Sequence, residues 1–141
     1  METVRIAFEP ALDEGARQRI VVGIDDYCIA ATGLADYFPV AFTLRDEHDE
    51  LLGGVLGHVW GGWLQVTHLW VAGPFRGLGH GKRLMESAEA YGRRRGAMAA
   101  ALETYSFQAR PFYEALGYEL FSVLEGYPPG HAKFFLRKML A

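Results

Sequence analysis

The sequence predicts an α+β fold built on one central sheet, mixed but mostly antiparallel, with about seven strands flanked by helices. Strand-like and helix-like segments follow one another as strand, helices, three strands, helix, strand, helix, two strands. Two turn signals, the polar run at 46–50 and the pair Gly61-Gly62, divide the three central strands and predict a meander of hairpins. The length of 141 residues is that of one domain, and we expect a single domain over 1–141.

The first half of the chain predicts four strands and two helices. The alternation in 4–10 predicts the first strand, and an apolar residue at every fourth position then predicts a helix, in Leu12, Ala16, Ile20 and Ile24. The mixed pattern of 25–37 predicts a second short helix before a loop. Three further strands are expected at 38–46, 51–60 and 63–71.

The second half alternates helices with strands. A helix is expected from the glycine-rich stretch to about Arg95, ending at Gly96, and the apolar run 97–105 reads as a strand buried on both faces. A short helix follows at 108–117, with proline in its first turn and glycine at its end. The two closing strands, 118–126 and 131–140, flank the turn YPPG.

Charge is unevenly distributed along this acidic chain. The net charge is −3, yet residues 1–50 hold eleven acids against four arginines, whereas 76–95 hold six basic residues against two acids. The basic block favours an anionic ligand, and the acidic balance elsewhere argues against nucleic acid. The acidic first half suits a cationic substrate or simply keeps a surface solvated.

Localisation and metal content follow from what the sequence lacks. The opening METVRIAFEP has no apolar signal core, and no run approaches a membrane span. The lone Cys28 fits a reducing compartment, so we expect a cytoplasmic protein without membrane association. The five histidines show no paired ligand spacing, and we expect no metal.

The stretch WVAGPFRGLGHGKRLM at 70–85 is the strongest functional signal. A helix start carries unpaired N–H groups that bind phosphate, and glycines let a ligand approach the backbone. The dinucleotide fingerprint fails because Lys82 stands where its third glycine belongs. The nucleotide P-loop fails because Arg83 replaces its Ser or Thr. The motif that fits is R-x-x-G-x-G, with Arg76, Gly79 and Gly81. The alternative interpretation is that these glycines only form a tight turn and bind no ligand.

With this motif, the chain resembles the GNAT superfamily of acyl-CoA-dependent N-acyltransferases. The stretch FQARPFYEALGYELF at 107–121 is similar to that family's closing helix motif, and the order of elements matches over essentially the whole chain. The resemblance implies a sheet splayed at the acyl-CoA site and acetyl-CoA as acyl donor. It implies these cofactor-binding residues: Leu69, Trp70, Val71, Arg76, Gly77, Leu78, Gly79, His80, Gly81, Lys82 and Gln108.

Acetyl transfer to an amine needs three kinds of help, and the resemblance supplies two of them. The departing thiolate benefits from a proton, for which we expect Tyr113 as general acid. The developing oxyanion needs a donor, expected from a main-chain N–H of Leu69, Trp70 or Val71 where the strand bulges. His80 is expected to offer its backbone N–H rather than its imidazole.

The general base, which must deprotonate the amine, stays open between three alternatives. Glu103 resembles a glutamate that serves as base in some relatives, His68 stands where many relatives carry an acid, and a water chain needs neither. The stretch between Glu103 and Tyr113 is shorter than usual and lacks the family's asparagine. Ser106 or Gln108 is expected to take that role in contacting the coenzyme arm.

The acceptor is expected to be the primary amine of a small molecule. The turn at 127–130, whose two prolines are flanked by Tyr127 and His131, either forms a rigid wall of the substrate site or merely joins two strands. The alternative function is a non-catalytic acyl-CoA-binding sensor or regulatory module on the same fold. The resemblance also implies that two copies can pair as a homodimer. The candidate substrate-lining residues are Tyr27, Tyr37, Phe38, Trp60, Trp63, Tyr105, Phe107 and Tyr127, with Asp25, Asp26 and Asp36 as amine partners.

Overall fold

The computed structural model of the protein describes residues 2–141, in two compact units. The first unit ends at Ala35 and the second runs from Asp36 to Ala141. Met1, which the expected single domain includes, lies outside the described residues, and that domain boundary stays a prediction.

The first unit contains one helix, α1, which spans Glu14–Thr32. The carboxylate of Asp13 accepts a hydrogen bond from the Ala16 N–H at 2.8 Å and so caps its start, as aspartate does at many helix N-termini. The helix ends where Gly33 adopts a left-handed φ of +73° and donates its N–H to the Ile29 carbonyl. Of the predicted apolar stripe, Ala16, Ile20 and Ile24 lie in this helix, whereas Leu12 precedes it.

Two expectations for the first unit are wrong. The second short helix expected within 25–37 does not exist, because α1 continues to Thr32, and residues 24–32 contain no proline or glycine that would end it. Residues 2–9 form neither helix nor strand, although 4–10 was expected to be a strand. Alternating residues give a strand propensity, but a strand also needs a partner for its backbone hydrogen bonds.

The second unit is a mixed sheet of six strands, β1 to β6. In chain order they span Phe38–Arg45, Leu51–Trp60, Trp63–Val71, Ala99–Tyr105, Glu119–Glu125 and Ala132–Met139. Their order across the sheet is β1-β2-β3-β4-β6-β5. All pairs are antiparallel except β3 with β4. The α+β class is confirmed, with six strands in residues 2–141 rather than about seven because 4–10 adds none. The helices α2 and α3 span His80–Arg94 and Arg110–Ala115.

Turn chemistry sets the hairpins that the sequence predicted. Gly61 and Gly62 both have positive φ, at +61° and +81°, which is the two-residue turn that matches the twist of paired strands. In the last hairpin the Tyr127–Pro128 peptide bond is cis, and the Gly126 N–H donates to the His131 carbonyl at 2.9 Å.

The core lies between the sheet and α2, which contacts β1, β2 and β3. Its centre is formed by Val55, Leu64 and Met85, all fully buried. In β4, Ala99 and Ala100 are buried, and their small side chains suit a strand covered on both faces. Fully removing a side chain such as Leu64 by mutation to alanine costs about 2–5 kcal/mol of unfolding free energy.

One buried carboxylate ties α2 to the closing strands. Glu89, which is 4% exposed, accepts a hydrogen bond from the Tyr118 hydroxyl at 2.8 Å and pairs with the Lys138 ammonium at 2.7 Å. Burial, and then the charge of Glu89, raise the pKa of Tyr118 well above its usual range, so this phenol stays neutral. A buried charge is tolerated when it is paired and hydrogen-bonded in this way.

The sheet opens between β3 and β4. The two strands pair only over their first residues, where Trp63, Leu64 and Gln65 face 99–101. Beyond Gln65 they part, and backbone groups that would form a ladder face a gap instead. The predicted splaying of the sheet is therefore confirmed, and it positions the site described next.

Within the described residues, none of the helices combines the length and the apolar composition that crossing a membrane would require.

Candidate active site

Two adjoining pockets occupy the open part of the sheet. The strand-gap pocket, of about 670 Å³, lies between the parted halves of β3 and β4. It is lined by residues 65–70 and 102–105 and by Gln108, Ala109 and Tyr113. The loop pocket, of about 900 Å³, lies between the end of β3, the glycine-rich loop with the start of α2, and α3. Both are lined by Leu69, Trp70, Gln108, Ala109 and Tyr113, so the two pockets meet at these residues.

The glycine-rich loop uses its glycines for two different purposes. Gly77 and Gly79 have φ of +74° and +86°, a left-handed backbone that glycine adopts without strain. Gly81 has an ordinary φ, but a Cβ there would lie 3.2 Å from Cζ of Phe112. Gly81 therefore lets α3 pack closely on the start of α2.

The start of α2 is free to bind an anion. Gly79 stands at the N-cap and has no side chain to cap the helix, so the first N–H groups carry the partial positive charge of an uncapped terminus. Nδ1 of His80 is a buried side-chain atom with no hydrogen-bond partner within residues 2–141. The uncapped helix start suits a ligand with acceptor oxygens in the loop pocket.

Arg76 fixes the loop to the end of β3. Its Nε donates a hydrogen bond to the Val71 carbonyl at 2.8 Å, and the side chain lines the loop pocket. The predicted cofactor-binding residues all line this pocket except Leu78, whose side chain points away and is 64% exposed. The structure therefore does not bring Leu78 to the site.

A bulge in β3 lies at Thr67, before the position expected at Leu69, Trp70 or Val71, and it is formed against β2. Leu56 pairs with His68 and Gly57 pairs with Val66, so that Thr67 is an extra residue without a partner on β2. The Thr67 hydroxyl donates a hydrogen bond to the Leu56 carbonyl at 3.1 Å. A Cβ on Gly57 would overlap the Gln65 carbonyl oxygen, so this glycine admits the close approach at the bulge.

Tyr113 lies where both pockets meet. It is 8% exposed, and its ring packs edge-to-face against Phe112 and Tyr118, with centroids 5.1 and 6.1 Å away. Burial raises the pKa of the Tyr113 phenol above its ordinary value, so the hydroxyl keeps its proton near neutral pH. No hydrogen bond to this hydroxyl is formed by any other residue that the structure describes, so its proton is available to a ligand.

The two candidate bases face the strand-gap pocket together with Tyr113, in different surroundings. A carboxylate oxygen of Glu103 lies 2.8 Å from the Lys133 ammonium, and this hydrogen bond raises the pKa of Lys133. His68 is exposed, and its Nδ1 lies 3.0 Å from the Thr67 hydroxyl oxygen. Glu103 is thus engaged by a cation, whereas His68 is engaged on one ring nitrogen only.

Of the two residues expected to replace the missing asparagine, only Gln108 reaches the site. Its side-chain oxygen accepts hydrogen bonds from the Tyr105 N–H at 2.9 Å and from the Thr104 hydroxyl at 3.2 Å. Ser106 instead accepts from the Ala132 N–H at 3.0 Å and lines neither pocket.

An aromatic cluster borders the two pockets. The rings of Tyr105 and Phe107 are stacked at 5.3 Å with an interplanar angle of 8°, and Tyr127 lies 5.8 Å from Tyr105. His131 meets Phe107 edge-to-face at 5.0 Å, and the Lys133 ammonium lies 4.9 Å from the Tyr127 ring centroid. The turn at 127–130 thus belongs to this cluster.

Other residues expected to line the substrate site line neither pocket. Tyr37 stacks on His58 at 5.2 Å, and Phe38 lies under the Arg95 guanidinium at 4.4 Å. Trp60, Trp63 and Asp36 also line neither pocket. Tyr27, Asp25 and Asp26 lie in the first unit, and their role at the substrate site stays a prediction.

Sequence reasoning missed Thr67 and Lys133. Thr67 matters through a shift of strand register, which no residue pattern announces. Lys133 lies two residues after His131 on a strand that pairs with β4, so its meeting with Glu103 required knowledge of that pairing. Over residues 2–141, no three side chains of His, Cys, Asp or Glu are grouped so as to hold a metal ion.

Comparisons with known proteins agree with this geometry. The model of the acetyltransferase (GNAT) family matches residues 7–118. Blasticidin-S acetyltransferase of Streptomyces morookaense is 44% identical over 95 residues, which cover 67% of this chain and 70% of that protein.

Two solved structures show the same fold. The crystal structure of an acetyltransferase from Bacillus cereus has a TM-score of 0.82 at 25% identity, covering 94% of this chain and 97% of that one. An aminoglycoside 6′-N-acetyltransferase complexed with coenzyme A has a TM-score of 0.66 at 20% identity, covering 73% of each chain. With its family match spanning most of its length, this chain belongs to the GNAT family of acetyltransferases and is an enzyme of that class.

Proposed function

We propose that this protein transfers an acetyl group from acetyl-CoA to the primary amine of a small molecule, by direct attack and with Tyr113 as general acid. The observation that carries the proposal is the meeting of two pockets at Tyr113. One pocket offers groups that bind an anion, and the other holds the two candidate bases.

Acetyl-CoA fits the loop pocket by charge and by hydrogen bonding. The uncapped start of α2 and the cations Arg76 and Lys82 suit a pyrophosphate. The parting of β3 from β4 leaves backbone groups for the amide groups of the coenzyme arm. A structure of this fold that holds coenzyme A supports the same choice of donor.

Tyr113 is suited to protonate the departing thiolate. Its raised pKa keeps the phenol neutral at working pH, and its position where the two pockets meet supports this role. As the C–N bond forms and the C–S bond breaks, the sulfur takes the phenol proton. The proton that leaves the nitrogen as the amide forms then restores Tyr113.

His68 is the better of the two candidate bases. Glu103 already accepts a hydrogen bond from the Lys133 ammonium at 2.8 Å, so one of its carboxylate oxygens is engaged within the protein. Nε2 of His68 has no partner within residues 2–141, and histidine exchanges protons near neutral pH. His68 therefore takes the proton of the acceptor ammonium and releases it to solvent, one for each turnover.

The acceptor is a small amine with an apolar or aromatic body. Tyr105 lines the strand-gap pocket, and Phe107 and Tyr127 beside it are 56% and 47% exposed, which provides a flat apolar wall. Because the 44% identical relative is a blasticidin-S acetyltransferase, blasticidin S is the first acceptor to test.

We further infer a cytoplasmic homodimer. The edge strand β5 exposes Phe121, Val123 and Leu124 by 49%, 36% and 45%, an apolar surface that a second copy can cover. Light scattering at several protein concentrations tests the assembly: a mass of one chain throughout would contradict it.

The test of the function is thiol release from acetyl-CoA in the presence of blasticidin S and of a panel of small amines. We expect release that depends on both substrates, and an acetylated acceptor in the mass spectrum. Binding of acetyl-CoA without transfer to any amine would instead favour the non-catalytic acyl-CoA-binding module.

A further inference from the structure

The hydroxyl of the bulge residue Thr67 lies between a main-chain carbonyl and an imidazole nitrogen. Its hydroxyl oxygen lies 3.1 Å from the Leu56 carbonyl oxygen and 3.0 Å from Nδ1 of His68. Both Thr67 and His68 line the strand-gap pocket. The bulge therefore holds a hydroxyl against one ring nitrogen of the candidate base.

Counting hydrogens assigns the direction of both bonds. A threonine hydroxyl has one hydrogen, and a carbonyl oxygen can only accept. Because the Thr67 hydroxyl donates to the Leu56 carbonyl, it can only accept from His68. Nδ1 of His68 must then carry its proton, and in the neutral ring the lone pair is left on Nε2.

We propose that Thr67 is a positioning residue, which holds His68 as the Nδ1–H tautomer and so keeps the Nε2 lone pair free to take the proton of the acceptor amine. This inference rests on the proposed function, in which His68 is the base. The arrangement gives the imidazole an orienting partner on the nitrogen that does no chemistry, as proteins commonly do for a base or a metal ligand.

The groups around His68 leave Thr67 as the one that sets its tautomer. On β2, the residues that pair at the bulge are Leu56 and Gly57, which carry no charge. On β4 and α3, the titratable groups lining the same pocket are Tyr105, Tyr113 and Glu103. Of these, Glu103 is paired with Lys133. Neither of the two ring nitrogens of His68 contacts any of these three in the part of the chain that the structure describes.

Two variants of Thr67 separate positioning from packing. Thr67→Val keeps the shape of the side chain and removes the hydroxyl, whereas Thr67→Ser keeps the hydroxyl and removes a methyl group. The readouts are the tautomer of His68 by nitrogen NMR of the imidazole, kcat with an amine acceptor, and KM for acetyl-CoA. A His68→Gln spectrum identifies the signal of His68 among the five histidines.

In the wild type and in Thr67→Ser we expect neutral His68 to carry its proton on Nδ1. In Thr67→Val we expect that preference to be lost and kcat to fall about tenfold, a part of the 10²–10⁴-fold that general base catalysis provides. KM for acetyl-CoA should change less than about twofold, since the loop pocket is untouched. Melting temperatures of both variants equal to that of the wild type check that the fold is intact.

The inference is overturned if Thr67→Val keeps the wild-type tautomer, if it keeps the wild-type kcat, or if Thr67→Ser loses as much activity as Thr67→Val. A different failure distinguishes the proposed function. If the wild type binds acetyl-CoA but transfers to no amine, the proposed function is wrong, and the NMR tautomer alone then decides whether Thr67 positions His68.

Discussion

The loop pocket and the strand-gap pocket adjoin each other but are built in different ways. The loop pocket takes most of its lining from one continuous stretch, 69–82, and binds through main-chain N–H groups and cations. The strand-gap pocket takes its lining from β3, β4 and α3, which meet only through strand register. The first pocket is thus a local property of the sequence, and the second is a property of the fold.

This difference divides the expected effects of mutations. Changes in the loop should alter binding of the acyl donor, whereas changes around the gap should alter turnover and leave donor binding intact.

The largest effect is expected from Gly79→Glu. The new side chain brings a negative charge to the uncapped helix start and strains a residue whose φ is +86°, so acetyl-CoA binding should weaken at least about 100-fold. Calorimetric titration measures this. The matched control is Leu78→Glu, which adds the same charge on an exposed side chain outside the pocket; equal weakening by both would remove Gly79 from the site.

Tyr113→Phe should lower kcat about 10- to 100-fold and change the dissociation constant of CoA less than about twofold. The ring and its packing against Phe112 and Tyr118 remain, while the proton for the departing thiolate is lost. Steady-state kinetics combined with titration checks this. Turnover equal to that of the wild type would exclude Tyr113 as the acid.

A paired comparison decides between the two candidate bases. His68→Gln should lower kcat about tenfold or more, whereas Glu103→Gln should lower it less than about threefold, because Glu103 is held by Lys133. Both variants should bind acetyl-CoA as the wild type does. The reverse order of effects would assign the base to Glu103, and small effects of both would favour a water chain.

Gly57→Ala tests the bulge itself. The added Cβ overlaps the Gln65 carbonyl, so β2 and β3 must shift, at a cost of about 1–3 kcal/mol in unfolding free energy. Turnover should fall more than donor binding does. Gly73→Ala is the control, since its Cβ meets no atom within 4 Å and its φ is not positive; an equal loss there would show that the effect is not specific to the bulge.

The smallest effect is expected in the free energy of unfolding at alkaline pH. Burial raises the pKa of Tyr113 and Tyr118, so the unfolded state loses these protons first, near pH 10. Their contribution to stability is therefore complete below about pH 10 and declines as pH rises above it. Urea unfolding of the wild type and of Tyr118→Phe should show a shallower alkaline decline in the variant; parallel declines would contradict this.

The same division explains what could be predicted from the sequence. The R-x-x-G-x-G run identified the loop pocket because consecutive residues carry both the turn and the helix start. The strands from Phe38 onward were predicted because each is bounded by its own turn. The strand at 4–10 was wrong because alternation cannot supply a pairing partner, and the bulge at Thr67 was not locatable because it exists only in the register of two strands.

Specific roles in the strand-gap pocket needed the structure for the same reason. The sequence left the base open between Glu103, His68 and a water chain, and only the pairing of β4 with β6 reveals that Lys133 pairs with Glu103. Leu78 was predicted to bind the cofactor from its place within the motif, yet the left-handed glycines on either side of it turn its side chain outward.

The most direct test of the account is calorimetric titration of the wild-type protein with acetyl-CoA, with CoA and NAD as comparators. We expect micromolar binding of acetyl-CoA and CoA and no binding of NAD, because the loop suits a pyrophosphate and lacks the dinucleotide fingerprint. Absence of acetyl-CoA binding, or equal binding of NAD, would contradict the assignment of the loop pocket and the acetyl transfer proposed from it.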